Sequence, residues 1–441
     1  MHSHRNLLSD LQLTQLTQLT QLTQLTQLTQ LTQLTQLSQG TQAGIGIGSC
    51  RSSSRIDGLD GLRGFLILFM TCNHLLLWPL RQLETVYNWS YQPIGFVTAA
   101  EGFFIISGFL AGISYAGIFV KIGMLGVWQR ALVRMTKLYA VNLTLTVMVG
   151  FLIVQGLLVS PVQERLSAEV SKRPWHSFID ALFNLDMPWL CDVLPVYIVL
   201  LPLGAMILWM MNSGRVWQLF VCMLSAWSIG HYYPQTHLVH WLERVFYPNT
   251  FGFGWFEIAS WQLVFGSAFV AGVMQRRRIL PQWLQRPPKR LFWASVAILC
   301  ICGVQRHLNW PLSNQFAQRF SMVQSMGILR LINVIALVIF IRGSWPVFTR
   351  VFEWRPLVLV GRTSLVAYSA QVVVVYISAY GLQKIGPLPD AVAAVMLVGG
   401  VMAIYLVAWL RTFINWSPRI LSPVMRRSPA SDSSRESLVE I

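Results

Sequence analysis

Four ionisable residues, Asp60, Arg63, His74 and Glu101, fall inside the first two apolar stretches of this 441-residue chain. Burying such groups in hydrocarbon is costly, so they mark a pathway or a reaction site unless a partner accounts for them. Arg63 and His74 are eleven residues apart, about three helical turns, and therefore share one helix face. The rise between them is roughly 16 Å, about half of a ~30 Å hydrocarbon core. One can sit near a membrane surface while the other reaches the middle. That is the layout of a buried site, not of a lipid-facing span.

The elements that must carry these residues are membrane helices. Hydrophobic residues make up 54% of the chain, charged residues only 11%, and the mean hydropathy is +0.53, which excludes an ordinary soluble protein. The sequence predicts an all-α fold, a polytopic membrane helical bundle of about ten transmembrane helices. They are expected near 62–80, 93–116, 138–159, 192–212, 216–232, 257–275, 291–305, 326–343, 356–379 and 390–411. The net charge of +16 would suggest nucleic acid in a soluble protein. Here the basic residues cluster in alternate short loops, at Lys121 to Lys137, Arg276 to Arg290 and Arg342 to Arg355. That pattern indicates positive-inside topology with both termini cytoplasmic, and no nucleic-acid partner.

Three segments follow. Residues 1–54 form a low-complexity tail with about eight Leu-Thr-Gln repeats, whose period of three fits neither helix nor strand. It lacks the apolar core and cleavage site of a signal peptide. Residues 55–412 form the transmembrane domain, and 413–441 a cytoplasmic tail. Most of the six cysteines sit in apolar runs, so no disulfide framework and no zinc site is expected. His231, His237 and His240 lack a carboxylate or cysteine to complete a metal set.

With that topology, His74 and Glu101 both lie some 9–12 Å below the outer surface, at depths that let them meet. Gly108 and Gly112 form a small-residue face suited to close helix packing, and Glu101 lies nearly on their side. At the cytoplasmic start of the third span, Arg130, Arg134 and Lys137 line one helix face. They serve either as an ordinary positive-inside collar or as a cradle for a polyanion, because arginine forks hold phosphate bidentately. The aromatic-rich outer loop His231–Trp255 reads as an interfacial belt or a platform for sugar rings.

LDGLRG followed by NHL resembles the first-helix signature of integral-membrane acyltransferases of the acyltransferase-3 group. EGFFIISGFL and QRALVRMTKLY resemble that group's second- and third-helix blocks. Within the group, DVLPVYIVLLP, ASWQLVFGSAF and GRTSL look like the OpgC branch, whose members add succinyl groups to osmoregulated periplasmic glucans. The resemblance spans roughly Arg55 to Leu410. One departure stands out: Gln371 occupies the place after GRTSL where a histidine would be expected.

The resemblance implies an acyltransferase of the bacterial inner membrane, with acyl-CoA (succinyl-CoA foremost) as donor, a periplasmic glucan as acceptor and no permanently bound cofactor. His74 would be the general base, Glu101 would fix its tautomer, and Asn73 would donate to the oxyanion. Arg130 and Arg134 would hold the donor's phosphates, with Arg63 and Asp60 steering the donor near the inner end of the first helix. A transient acyl-His74 is an alternative to direct transfer. Asp192 and Gln262 lie in matching blocks as supporting residues. A duller account exists for each residue: a hydrogen-bonded core histidine, a carboxylate paired with an arginine from another helix, an ion pair at the membrane edge. Two rival functions use the same helices: a secondary transporter with Asp60, Arg63, His74 and Glu101 as its path, or a non-catalytic scaffold for glucan export.

Overall fold

The computed structural model describes residues 57–155, 188–232, 256–308, 320–386 and 388–421, with residues 175, 178 and 181–183. Of its two compact units, the first, Met1–Arg55, lies outside the described residues, as does most of the His231–Trp255 loop. The described residues form helices and no strand; one isolated bridge joins Ile94 and Val97. Long apolar runs fold this way because lipid offers no hydrogen bonds, and a helix satisfies its own backbone.

In chain order the helices are α1 (Asp57–Leu77), α2 (Glu84–Ser90), α3 (Ala99–Val154), α4 (Val193–Asn212), α5 (Val216–Tyr232) and α6 (Ile258–Arg276). They continue with α7 (Gln282–Gln285), α8 (Lys289–Leu308), α9 (Ile328–Gly343), α10 (Trp345–Phe352), α11 (Arg355–Arg362), α12 (Ser364–Ile385) and α13 (Asp390–Leu421). Among the described residues six helices are long and apolar enough to cross a membrane, or up to eight if each of two bent pairs is one span. The exact count of ten is not confirmed, and three features of the chain bear on it. The second and third expected spans run on as α3, 56 residues interrupted only by the non-helical Gly123. α5, with 17 residues, is short. α1 turns by 106° into the segment Arg81–Ser90, and α9 by 83° into α10. The first bend follows Pro79, which has no amide proton with which to continue the helix. α13 runs past residue 412 to Leu421.

Val395, Val398, Met402 and Leu406 of α13 recur every three or four residues and are exposed. A large apolar stripe left outside marks contact with lipid rather than water, and the chain is a membrane protein.

Two joints set the geometry of the interior. α1 lies against the end of α10 and against α11: a Cβ on Gly61 would overlap the backbone of Phe352, one on Gly64 that of Leu357, and one on Gly361 that of Asp60. The backbones therefore touch directly, and only glycine fits. α3 packs in the same manner on α6, through Gly108 and Gly112 on one side and Gly272 on the other. The small-residue face read from the sequence is thus the seam with α6. Around it, Phe104 stacks on Tyr197 at 4.6 Å and meets Trp261 at 4.8 Å between ring centres.

Candidate active site

His74 projects from α1 toward α12. Its Nδ1 lies 2.8 Å from the carboxamide of Gln371, the residue standing where a histidine was expected. The other end of that carboxamide is 3.2 Å from Oγ1 of Thr71, and Thr71 Oγ1 donates to the Ile67 carbonyl at 2.9 Å. Thr71 and Gln371 are wholly buried, whereas the imidazole is partly exposed. Among the described residues Gln371 is its one hydrogen-bond partner, so Nε2 is left open.

The opposite wall comes from the segment before α4. Trp189 meets the imidazole edge-on at 5.4 Å and Trp78 at 5.6 Å. This segment is held by α12: Tyr376 donates to the Trp189 carbonyl at 3.0 Å, and Tyr368 donates to the Leu190 carbonyl. Leu190 has φ of +73°, a strained setting for a side chain with a Cβ, of the sort fixed only where the surroundings demand it. Tyr368, Gln371 and Tyr376 recur at helical spacing, so one face of α12 positions both the base and its wall. Asp192 sits close enough to Tyr368 and Tyr376 to act on both electrostatically.

Three turns before His74, Arg63 donates to Ser364 of α12 at 2.8 Å and lies over the Phe103 ring at 5.8 Å. Asp60 stands 3.9 Å from Arg63 and 3.8 Å from Arg362, and Arg362 bonds Asp57 at 2.6 Å. The face shared by Arg63 and His74 is therefore the face that α12 receives, at Ser364 and Gln371, with the two helices parallel. The DGLRG and GRTSL blocks, some 300 residues apart, form one charged joint.

Glu101 has other neighbours than His74. Wholly buried, it pairs with an equally buried Arg330 of α9, and its second oxygen accepts the Thr98 amide at 2.8 Å and hydroxyl at 2.6 Å. Arg330 also donates to the Ser321 carbonyl at 3.0 Å. Asn73 is buried, with its Oδ1 accepting from Ser90 at 2.9 Å, which ties α1 to α2. Gln262 donates to the Met223 carbonyl at 2.6 Å and so joins α6 to α5.

Beyond Gly123, α3 turns so that Arg130 (exposed) and Arg134 (half-buried) act electrostatically on Tyr115. Tyr115 is wholly buried, and its hydroxyl makes no hydrogen bond among the described residues. Before Gly123, Ala116, Phe119 and Val120 line an open cleft of about 450 Å³ together with Arg276, Arg277 and Arg278. The arginine run that the sequence assigns to topology thus borders a cavity with an apolar wall.

Sequence reasoning passed over Arg330, Thr71 and Trp189. Arg330 carried a usable signal, being a charge at the outer end of an apolar span, like Glu101. Thr71 and Trp189 carried none, because neither type is unusual in a membrane helix or loop.

No curated protein and no solved structure matches the chain. A family model described as "OpgC protein" matches residues 55–416, most of the chain and all of the helices described above except the end of α13, and on that match the chain belongs to the OpgC family.

Proposed function

We infer that this protein is an integral-membrane O-acyltransferase of the bacterial inner membrane, of the acyltransferase-3 type, with both termini cytoplasmic. It moves a succinyl or similar short acyl group from cytoplasmic acyl-CoA to hydroxyls of a periplasmic glucan. Membership of the OpgC family supports a glucan-modifying acyltransferase. The observation that carries the chemistry is an imidazole anchored through Nδ1 alone and partly open at its other nitrogen. A histidine held in that way is equipped to take and return a proton.

The donor enters from the cytoplasmic side. Arg130 and Arg134 bind its phosphates, and the cleft bordered by Arg276, Arg277 and Arg278 gives further guanidinium groups beside the apolar side chain of Phe119. Arg63 and Asp60, in the joint with α11 and α12, line the approach along the α1 face toward His74. At His74 an acceptor hydroxyl loses its proton to Nε2 while its oxygen attacks the thioester carbonyl. The tetrahedral oxyanion collapses, the C–S bond breaks, and the departing CoA thiolate takes the proton back from the imidazolium. Products are the glucan ester and CoA thiol, with His74 restored. Asn73 supplies an amide N–H to the oxyanion, its carboxamide oxygen being taken by Ser90. Glu101 supports the outer end of α3 through Arg330 and Thr98.

The test uses purified protein in nanodiscs with radiolabelled succinyl-CoA or acetyl-CoA and a periplasmic glucan fraction. Label moving to glucan in wild type, and lost in a folded His74→Ala variant, is the expected result. Folded protein that neither binds CoA nor transfers label would instead leave the secondary-transporter reading.

A further inference from the structure

Which ring nitrogen of His74 bears the proton decides whether the imidazole can accept one from an alcohol. The answer lies in the hydrogens of the chain His74–Gln371–Thr71–Ile67. Its three heavy-atom separations are 2.8, 3.2 and 2.9 Å. The oxygen and nitrogen of a carboxamide have nearly the same size, so hydrogen counting, not shape, fixes which end faces which neighbour. A threonine hydroxyl has one proton to give.

Suppose first that the Gln371 nitrogen faces Nδ1. Thr71 must then give its proton to Gln371 Oε1, and its close approach to the Ile67 carbonyl has no hydrogen to support it. The chain holds two bonds, and the imidazole proton sits on Nε2. Now turn the carboxamide end for end. Thr71 donates to Ile67, the glutamine NH₂ donates to Thr71 Oγ1, and Oε1 accepts from Nδ1–H. The same atoms now hold three bonds. Thr71 and Gln371 are both wholly buried in the membrane interior, where no water replaces a missing partner. Threonine back-bonding to the carbonyl four residues earlier is, moreover, its usual habit within a helix.

We propose that Gln371 and Thr71 are positioning residues that form a one-way hydrogen-bond chain from Nδ1–H of His74 to the Ile67 carbonyl, fixing the proton on Nδ1 and leaving the Nε2 lone pair free for the acceptor hydroxyl. This rests on the reading of His74 as general base. The chain keeps its direction throughout the reaction, because imidazole and imidazolium both carry Nδ1–H. When Nε2 gains and later returns the acceptor's proton, no bond behind it has to reverse. A neutral carboxamide thereby does the orienting commonly left to a carboxylate.

Isosteric and acceptor-only replacements at position 371 separate the two orientations. Gln371→Met removes both bonds at similar volume; Gln371→Glu, ionised, accepts from Nδ1–H but cannot donate to it. In the label-transfer assay, on variants with wild-type thermal melting in nanodiscs, Gln371→Met is expected to lower kcat about 10- to 100-fold with little change in either KM. Gln371→Glu is expected to recover most of that loss. Thr71→Val should lower kcat less, and Thr71→Ser should restore it. A folded Gln371→Glu as poor as Gln371→Met would overturn the proposal, since residue 371 would then have to donate; so would full activity in Gln371→Met. Transfer persisting in His74→Ala sinks the base itself, a different failure from a dead His74→Ala beside a fully active Gln371→Met. A readout free of turnover is nitrogen-15 NMR of histidine-labelled protein, with the His74 signals assigned by difference against His74→Ala. A proton on Nδ1 is expected, and a proton on Nε2 overturns the assignment.

Discussion

His74 of α1 and Glu101 of α3 are both ionisable residues in apolar helices, and the structure uses them in opposite ways. Glu101 is sealed: no part of it or of Arg330 is exposed, and Thr98 takes the second carboxylate oxygen. His74 is held by one neutral amide, has an aromatic wall and keeps part of its surface open. Both Glu101 oxygens are occupied. Although Arg330 Nη2 has no hydrogen-bond partner among the described residues, the pair is enclosed on every side and locks helices together out of a substrate's reach. A half-satisfied imidazole contributes less to the fold and retains a free valence. Cost of burial therefore marks both residues as unusual, and access to the group tells structure from chemistry.

The sharpest way to break this contrast is at Arg330. Arg330→Ala strands the Glu101 carboxylate and should destabilise the fold by about 3–5 kcal/mol, seen as loss of monodisperse protein or a large fall in melting temperature. Arg330→Ala combined with Glu101→Ala should lose less than the sum of the single changes. His74→Ala should do the reverse, melting like wild type while transfer falls about 10²- to 10⁴-fold. Equal damage to stability from both sites would erase the distinction. Arg134→Ala, beyond the Gly123 kink, should raise KM for the CoA donor about tenfold, one charge-assisted bond's worth, with the glucan KM unchanged in steady-state assays. The smallest effect is expected at Gln262: Gln262→Leu leaves the Met223 carbonyl without its side-chain donor, and should cost about 1 kcal/mol in melting with kcat intact.

How much of this was legible beforehand follows from what a periodicity can encode. The shared face of Arg63 and His74 was legible, because it needs only 3.6 residues per turn, and α12 does receive both. The closeness of Asp60 and Arg63 was legible for the same reason. The packing role of Gly108 and Gly112 was readable from residue size, though not the identity of α6 as partner. The neighbour of Glu101 was not legible: depth put it level with His74, but depth leaves rotation free, and Arg330 comes from more than 200 residues away. Gln371 was visible only as a departure from pattern, and its contact with His74 gives that departure a meaning. Hydropathy alone does not settle the exact span count where chain geometry decides, as at the two bends and at the merged α3.

Gly123 has φ of +72°, a value that side chains with a Cβ rarely adopt, yet nothing lies within 4 Å of where a Cβ would be. Along an unbroken helix Tyr115 and Arg130 would stand about 22 Å apart, too far to sense each other's charge. The kink at Gly123 brings the two arms close enough for these groups to act on one another electrostatically. The backbone torsion, not a crowded side-chain position, is what calls for glycine at the pivot. A single methyl group there would meet no neighbouring atom, but it would change the angle between the two arms and so the separation of Tyr115 from Arg130 and Arg134.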